Sequence, residues 1–335
     1  MKDGNPSTHT AASKKGKASD RRLWKWGAGA VAAGAAMGGA ALFNRSKAKQ
    51  AERENPPLGE FITVDDVRLH YLVRGEGAPI VLLHGNGTMI EDWIASGLMD
   101  RLAENNRVIA FDRPGFGHSE RPRSRIWTPA AQAALIAEAL EELKVERALV
   151  VGHSFGTLVA LALALDHAEK VSGLALLGGY YFPSVRADVL FASQPAVPVV
   201  GDVMRYTVSP LIGSALAPAV SARVFAPAPV PASWTEGFPI EMTLRPSQIR
   251  AEAAEAALMI PAAAALAPRL EALDLPVTIV AGAGDKMVET AAQSKRLSDT
   301  IPQSRYIEIE GIGHMVHHSA PAKVAEAIMG AAGAA

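Results

Sequence analysis

The 335-residue chain contains no cysteine. Disulfides and thiolate metal sites are therefore excluded, and redox chemistry gives no clue to compartment. Net charge is also nearly absent, at a formal −1. That balance hides two unlike parts: residues 1–59 hold 11 Lys/Arg against 4 Asp/Glu, and the remainder holds 22 against 30. A mildly acidic body argues against nucleic acid as the main partner. No repeat with a period of 20–50 residues occurs. What is present is 49% apolar and 20% charged sequence, the composition of a packed globular protein.

Residues 1–22 are rich in Ser, Thr, Lys, Gly and Ala and have little to bury, so a disordered basic tail is expected. An apolar segment over 23–43 follows. Its uncharged run Trp26–Phe43 would make a helix of about 27 Å, just short of the ~30 Å hydrocarbon core. Thirteen of those 18 residues are Gly or Ala, so the run is weakly hydrophobic. Trp24, Trp26 and Phe43 stand at its ends, where rings favour a membrane interface. Ala30, Gly34 and Gly38 recur at a spacing that lets two helices approach closely.

Three readings compete for this segment: a membrane anchor, a cleaved export signal, and a soluble Ala/Gly-rich helix. The stretch Asp20–Lys25 loosely resembles a twin-arginine signal. No small-x-small cleavage site directly follows Phe43, which favours a retained anchor. The greater positive charge before the run places the body on the non-cytoplasmic, periplasmic or extracellular, side. Residues 44–59 read as a linker closed by Asn55-Pro56-Pro57.

From Phe61 the texture becomes strand-like. Phe61–Val64 and Val67–Val73 predict a hairpin with Asp65-Asp66 at its turn. Short apolar runs at Ile80–Leu83, Val108–Phe111, Ala148–Val151, Leu174–Leu177 and Val277–Ala281 predict strands buried on both faces, with Tyr306–Ile309 at the far edge. Helical segments alternate with them at Thr128–Leu143, Thr157–His167, Glu289–Leu297 and Pro321–Met329. This is an α/β pattern with a mostly parallel sheet covered on both faces. The alternation fails between Leu177 and Pro276. Residues 183–268 hold 12 of the 22 prolines and only 11 charged residues. A helical cap is expected there, inserted between core segments 60–182 and 269–335.

The strongest local signal is Gly152-His153-Ser154-Phe155-Gly156, between a predicted strand and a predicted helix, the context of a nucleophile elbow. A serine hydroxyl needs a base. His314, in Gly313-His314 after the last strand, is placed to hang over the carboxyl ends of the sheet, with His317 and His318 as rivals. Asp285, in Gly284-Asp285 past the Val277–Ala281 strand, suits the carboxylate that orients the base; Asp274 lies at the opposite end of that strand. For the oxyanion hole the Phe155 N–H and the Asn86 N–H of His84-Gly85-Asn86-Gly87 are the candidates, with Gly85 or Gly87 as substitutes for Asn86. His84 and His153 read as supports. Tyr180, Tyr181 and Phe182 are expected to face the substrate.

With Asp112-Arg113-Pro114-Gly115-Phe116-Gly117-His118-Ser119 added, these motifs resemble, in order, those of the α/β-hydrolase superfamily, and most of all its small esterases, haloperoxidase-type perhydrolases and carbon–carbon bond hydrolases. The resemblance covers about Phe61 to Met329. It implies an eight-stranded α/β-hydrolase fold, a Ser154–His314–Asp285 triad and a helical lid. The superfamily's haloalkane dehalogenases and epoxide hydrolases carry an aspartate nucleophile; Ser154 argues against both. A glutamate often found five residues after the histidine is replaced by Ser319. The expected activity is hydrolysis of a small-molecule carboxylic ester, with lactone, amide or carbon–carbon cleavage and perhydrolysis sharing the same triad, and a non-catalytic ligand-binding protein as the alternative of another class. This chemistry calls for no cofactor and no metal. Oligomeric state is not legible in the sequence.

Overall fold

A computed structural model describes residues 12–185 and 187–332. Eight strands form one sheet: β1 (Glu60–Val64), β2 (Val67–Arg74), β3 (Ala78–Leu83), β4 (Asn106–Phe111), β5 (Ala148–His153), β6 (Val171–Leu177), β7 (Val277–Gly282) and β8 (Arg305–Ile309). Their spatial order is β1-β2-β4-β3-β5-β6-β7-β8. The β1–β2 and β2–β4 pairs are antiparallel, and all others are parallel. At the first turn Asp65 and Asp66 both take positive φ, 48° and 58°, the hand that matches strand twist.

Side-chain alternation divides the core in two. Along β3, Val81 and Leu83 join one apolar cluster, with the helices Pro129–Glu142 and Gly156–Asp166. Ile80 and Leu82 join the other, with the helices Ile90–Ala95, Leu98–Ala103 and Pro321–Ala332. Both faces are thus covered, which is why β5 and β7 are buried at every residue. Thr128 caps the first of these helices, accepting from the Ala131 N–H at 3.1 Å, with Pro129 in the first turn.

Between β6 and β7 the described residues form no strand. They form the helices Ala187–Ala192, Val200–Tyr206, Ser209–Phe225, Ala232–Gly237, Ile240–Thr243 and Pro246–Leu266. The last of these, continued by the turn Ala267–Ala272, is long and apolar enough to cross a membrane by length and composition. Its buried Gln248, Ala251 and Glu255 instead pack it onto the body.

The N-terminal helix runs unbroken from Ala12 to Glu54, about 65 Å at 1.5 Å per residue. Two expectations change here. Residues 12–22 are helical rather than disordered, while residues 1–11 of the expected tail lie outside the described residues. Residues 44–54, expected as linker, are the docked end of the helix. Asn44 Nδ2 donates to the carbonyls of Tyr206 (3.0 Å) and Thr207 (2.7 Å), Glu52 pairs with Arg245 at 3.2 Å, and Ala51 is buried. Upstream, Trp26 and Leu42 are 73% and 71% exposed.

Candidate active site

β5 delivers its last residue into a sharp turn. Ser154 has φ 52°, a left-handed conformation costing a non-glycine residue about 1–3 kcal/mol. Its N–H donates to the Leu177 carbonyl (3.0 Å), and its own carbonyl accepts from the Thr157 N–H (3.1 Å) and hydroxyl (2.6 Å). The flanking glycines make room for the turn. A Cβ on Gly156 would lie 2.2 Å from the Leu83 carbonyl oxygen, and one on Gly152 would lie 2.7 Å from that of Gly156.

Three predicted residues meet in one hydrogen-bonded chain. His314 Nε2 lies 2.9 Å from Ser154 Oγ, and His314 Nδ1 lies 2.8 Å from Asp285 Oδ2. Asp285 Oδ1 accepts the Met287 and Val288 N–H groups at 2.7 and 3.0 Å. Burial pushes the Asp285 carboxyl up, but the His314 ring and those two N–H donors outweigh it and hold the group below the usual carboxylate range. An ionised Asp285 keeps the proton on Nδ1 and leaves Nε2 to accept from the Ser154 hydroxyl. His314 is gripped through its backbone as well: its N–H donates to Val224 of the cap, and His153 Nε2 donates to its carbonyl at 3.2 Å.

The loop after β3 lies against this turn, so close that a Cβ on Gly85 would sit 3.2 Å from Ser154 Cβ. The N–H groups of Asn86 and Phe155 bond to no other described residue. Phe155 is the N-cap of the helix Gly156–Asp166, whose dipole favours negative charge at that end. His84 is a strut beneath the loop: its Nδ1 donates to the Gly85 carbonyl (2.8 Å), and its Nε2 accepts from the Arg113 N–H (2.9 Å). Burial and the Arg113 guanidinium lower its pKa to about 3, so the ring is neutral.

Arg113 spends all five of its guanidinium donors in the interior. Nε and Nη2 reach the His84 and Gly85 carbonyls at 2.8 and 2.9 Å, and Nη1 reaches Gln132 at 3.0 Å. Both Nη atoms also grip Glu255 of the cap. From the same cap helix Glu252 faces the loop: a Cβ on Gly87 would lie 3.4 Å from its carboxylate. That carboxylate has no hydrogen bond or ion pair to any described residue, and burial together with Glu255 pushes its pKa up to about 7.

The rivals of His314 are otherwise employed. His317 and His318 both point Nε2 at Asp92 Oδ1, at 3.1 and 2.7 Å. Burial opposes ionisation of Asp92, yet the two rings hold it well below the usual range. His153 Nδ1 lies 4.0 Å from Asp92 Oδ2. Asp92, His153 and His317 are the one group among the described residues whose ligand atoms, all within 4.8 Å of one another, are spaced to hold a metal ion. Tyr180, Tyr181 and Phe182, the expected pocket wall, directly follow β6 and the Gly178-Gly179 pair. All three are buried in the main core, because the N–H groups of Tyr181 and Phe182 both donate to Gln293 Oε1, at 2.7 and 2.8 Å, and turn the chain inward.

The model of the alpha/beta hydrolase fold family matches residues 78–321, and the chain belongs to that family. Among characterised relatives, it is 38% identical over 150 residues to 2-hydroxymuconate semialdehyde hydrolase of Pseudomonas sp. strain CF600. That stretch is 44% of this chain and 53% of the relative, so the chain aligns with only about half of that enzyme. Haloalkane dehalogenase 2 of Mycobacterium tuberculosis strain H37Rv is 27% identical over 268 residues, covering 78% of this chain and 90% of the relative. The crystal structure of the enol-lactonase from Burkholderia xenovorans LB400 superposes with a TM-score of 0.65 at 25% identity, covering 82% of this chain and 100% of that one. These relatives are hydrolases.

Sequence reasoning missed Glu252, Glu255 and Asp92. The first two sit on a cap helix whose packing carries no motif. Asp92 sits on a six-residue helix, too short to show a helical period.

Proposed function

We propose that the protein is a serine hydrolase acting on carboxylic esters through an acyl-enzyme. The observation that carries this reading is the unbroken chain from Ser154 through His314 to Asp285, set beside two uncommitted backbone N–H groups. Ser154 Oγ attacks the ester carbonyl as its proton passes to His314 Nε2. The imidazolium then gives that proton to the departing alcohol, and water repeats the sequence on the acyl-enzyme. The Asn86 and Phe155 N–H groups receive the oxyanion, where one such donor is worth about 10²–10³ in rate. The dehalogenase relative is no guide to the bond broken, because the nucleophile position here holds serine.

The test is hydrolysis of a nitrophenyl ester series from acetate to palmitate by the full chain in a neutral detergent, beside Ser154→Ala. Turnover on several esters that vanishes in the variant is the expected result. The superposition on an enol-lactonase favours lactone hydrolysis as the second reading, and the muconate-semialdehyde relative favours carbon–carbon cleavage. Silence on every ester, with Ser154 still labelled by a fluorophosphonate, would turn the reading from esters to those two bonds. Failure to label would leave a ligand-binding protein on the same fold.

For location, the reading that suits the exposed run from Trp26 to Phe43 is a membrane anchor with the body on the non-cytoplasmic side. Retention of the full-length chain in washed membranes, and its digestion by protease added to spheroplasts, is the expected outcome. A soluble product beginning after Phe43 would show export and cleavage instead.

A further inference from the structure

Away from the triad, a cleft of about 520 Å³ opens between the loop after β4 and the cap helices Val200–Tyr206 and Pro246–Leu266. Four arginines line it, Arg121, Arg123, Arg205 and Arg250, against one acidic residue, Glu120. Asp202 engages two of the four, Arg123 at 3.0 Å and Arg205 at 2.7 Å. Arg121 Nη1 donates to the Pro114 carbonyl at 2.7 Å and lies 3.8 Å from Glu255, whose carboxylate is already held by Arg113, and Arg205 Nη1 reaches the Pro246 carbonyl at 3.4 Å.

Donors are left over. Arg250 forms no hydrogen bond or ion pair with any described residue. Arg205 is buried, and its Nε has no partner. Ser247, on the same wall, stands in the first turn of a 21-residue helix, where backbone N–H groups are free and the dipole favours an anion. Burial and the positive charges of Arg123 and Arg205 depress the Arg250 pKa against the opposing pull of Asp202.

We propose that this cleft binds a phosphate group, either of a soluble phosphomonoester or of an anionic lipid headgroup. Forked guanidinium donors match phosphate oxygens. Donors converging from a loop and two helices suit a tetrahedral anion better than a planar carboxylate, which one guanidinium already satisfies. A lipid source is within geometric reach: Tyr206, on the cleft wall, accepts through its carbonyl from Asn44, the residue that ends the exposed apolar run of the N-terminal helix.

The experiment uses the full chain in neutral detergent, titrated with sodium phosphate by calorimetry and by thermal melting, against sodium chloride and sodium acetate at matched ionic strength. Phosphate should bind and raise Tm, and Arg250→Gln should weaken binding at least tenfold. The variant's phosphate-free Tm, circular dichroism and ester turnover should stay unchanged, because Arg250 touches neither the triad nor the oxyanion loop. Arg123→Gln should weaken phosphate in the same direction. Vesicles of phosphatidylglycerol in phosphatidylcholine separate the sources. A preference over pure phosphatidylcholine that phosphate competes away and Arg250→Gln abolishes marks the lipid; phosphate binding without that preference marks the soluble ester. Equal effects of phosphate, chloride and acetate, or phosphate binding unaltered in both variants, would overturn the proposal.

Discussion

Arg113, on the loop after β4, and Glu255, on the long cap helix, meet as a bidentate pair at 2.6 and 2.9 Å with both side chains fully buried. The same guanidinium holds the two carbonyls that shape the loop after β3. One ion pair therefore connects lid and proposed oxyanion hole.

Glu255→Ala should be among the most damaging substitutions outside the triad. It strands the Arg113 charge in the interior, a loss of about 3–5 kcal/mol. Urea denaturation should show it as a lower midpoint with the same slope, and Glu255→Gln should lose less.

Asp285→Asn keeps the shape of the site but favours the wrong imidazole tautomer. A fall in kcat of about 10⁴ with little change in KM is expected from steady-state ester kinetics.

The histidines should separate cleanly. His314→Gln should abolish turnover with little effect on folding. His317→Gln should do the reverse, costing about 1.5–3 kcal/mol for its bond to ionised Asp92 while leaving most of kcat. Parallel melting curves and initial rates decide it.

Glu252 gives a pH dependence with a definite sign. Its folded pKa is raised to about 7, above the ordinary glutamate value of about 4.3. Between those values the folded form holds a proton that the unfolded form has lost, so its contribution to stability falls as pH rises to about 7 and is constant above. Glu252→Gln should match the wild type near pH 4.5 and melt higher at pH 8. Glu91, buried and also raised to about 7, is present in both proteins and cancels. Ionised Glu252 beside Gly87 also opposes oxyanion formation, so the variant should keep its kcat above pH 7 where the wild type declines.

The sheet was legible because its five inner strands are short apolar runs between turn residues, and β1, β2 and β8 lie where the hairpin and the far-edge strand were expected. The line of Ser154, His314 and Asp285 was legible because each follows a strand end in a glycine-containing loop. The cap's contribution was not. Glu252 and Glu255 look from the sequence like charges on a solvated helix, and only tertiary packing turns them inward. Tyr180, Tyr181 and Phe182 were ambiguous for another reason: aromatic residues at a strand end suit a pocket or a core equally well, and the Gln293 side chain that holds their backbone is more than a hundred residues away.

The N-terminal helix is also a mechanical lever. Asn44 fastens it to the cap segment Val200–Tyr206 and the following turn, and from there to Ala12 it extends about 48 Å. A rotation of about 5° at the docked end therefore displaces the tip by roughly 4 Å over that length. Small lid movements, hard to see at the active site, become measurable distances at the far end of this arm. Because the chain has no cysteine of its own, a pair such as Trp26→Cys, on the exposed part of the arm about 27 Å beyond Asn44, and Glu146→Cys would carry spin labels at those two positions alone, and their separation would record the angle of the lid.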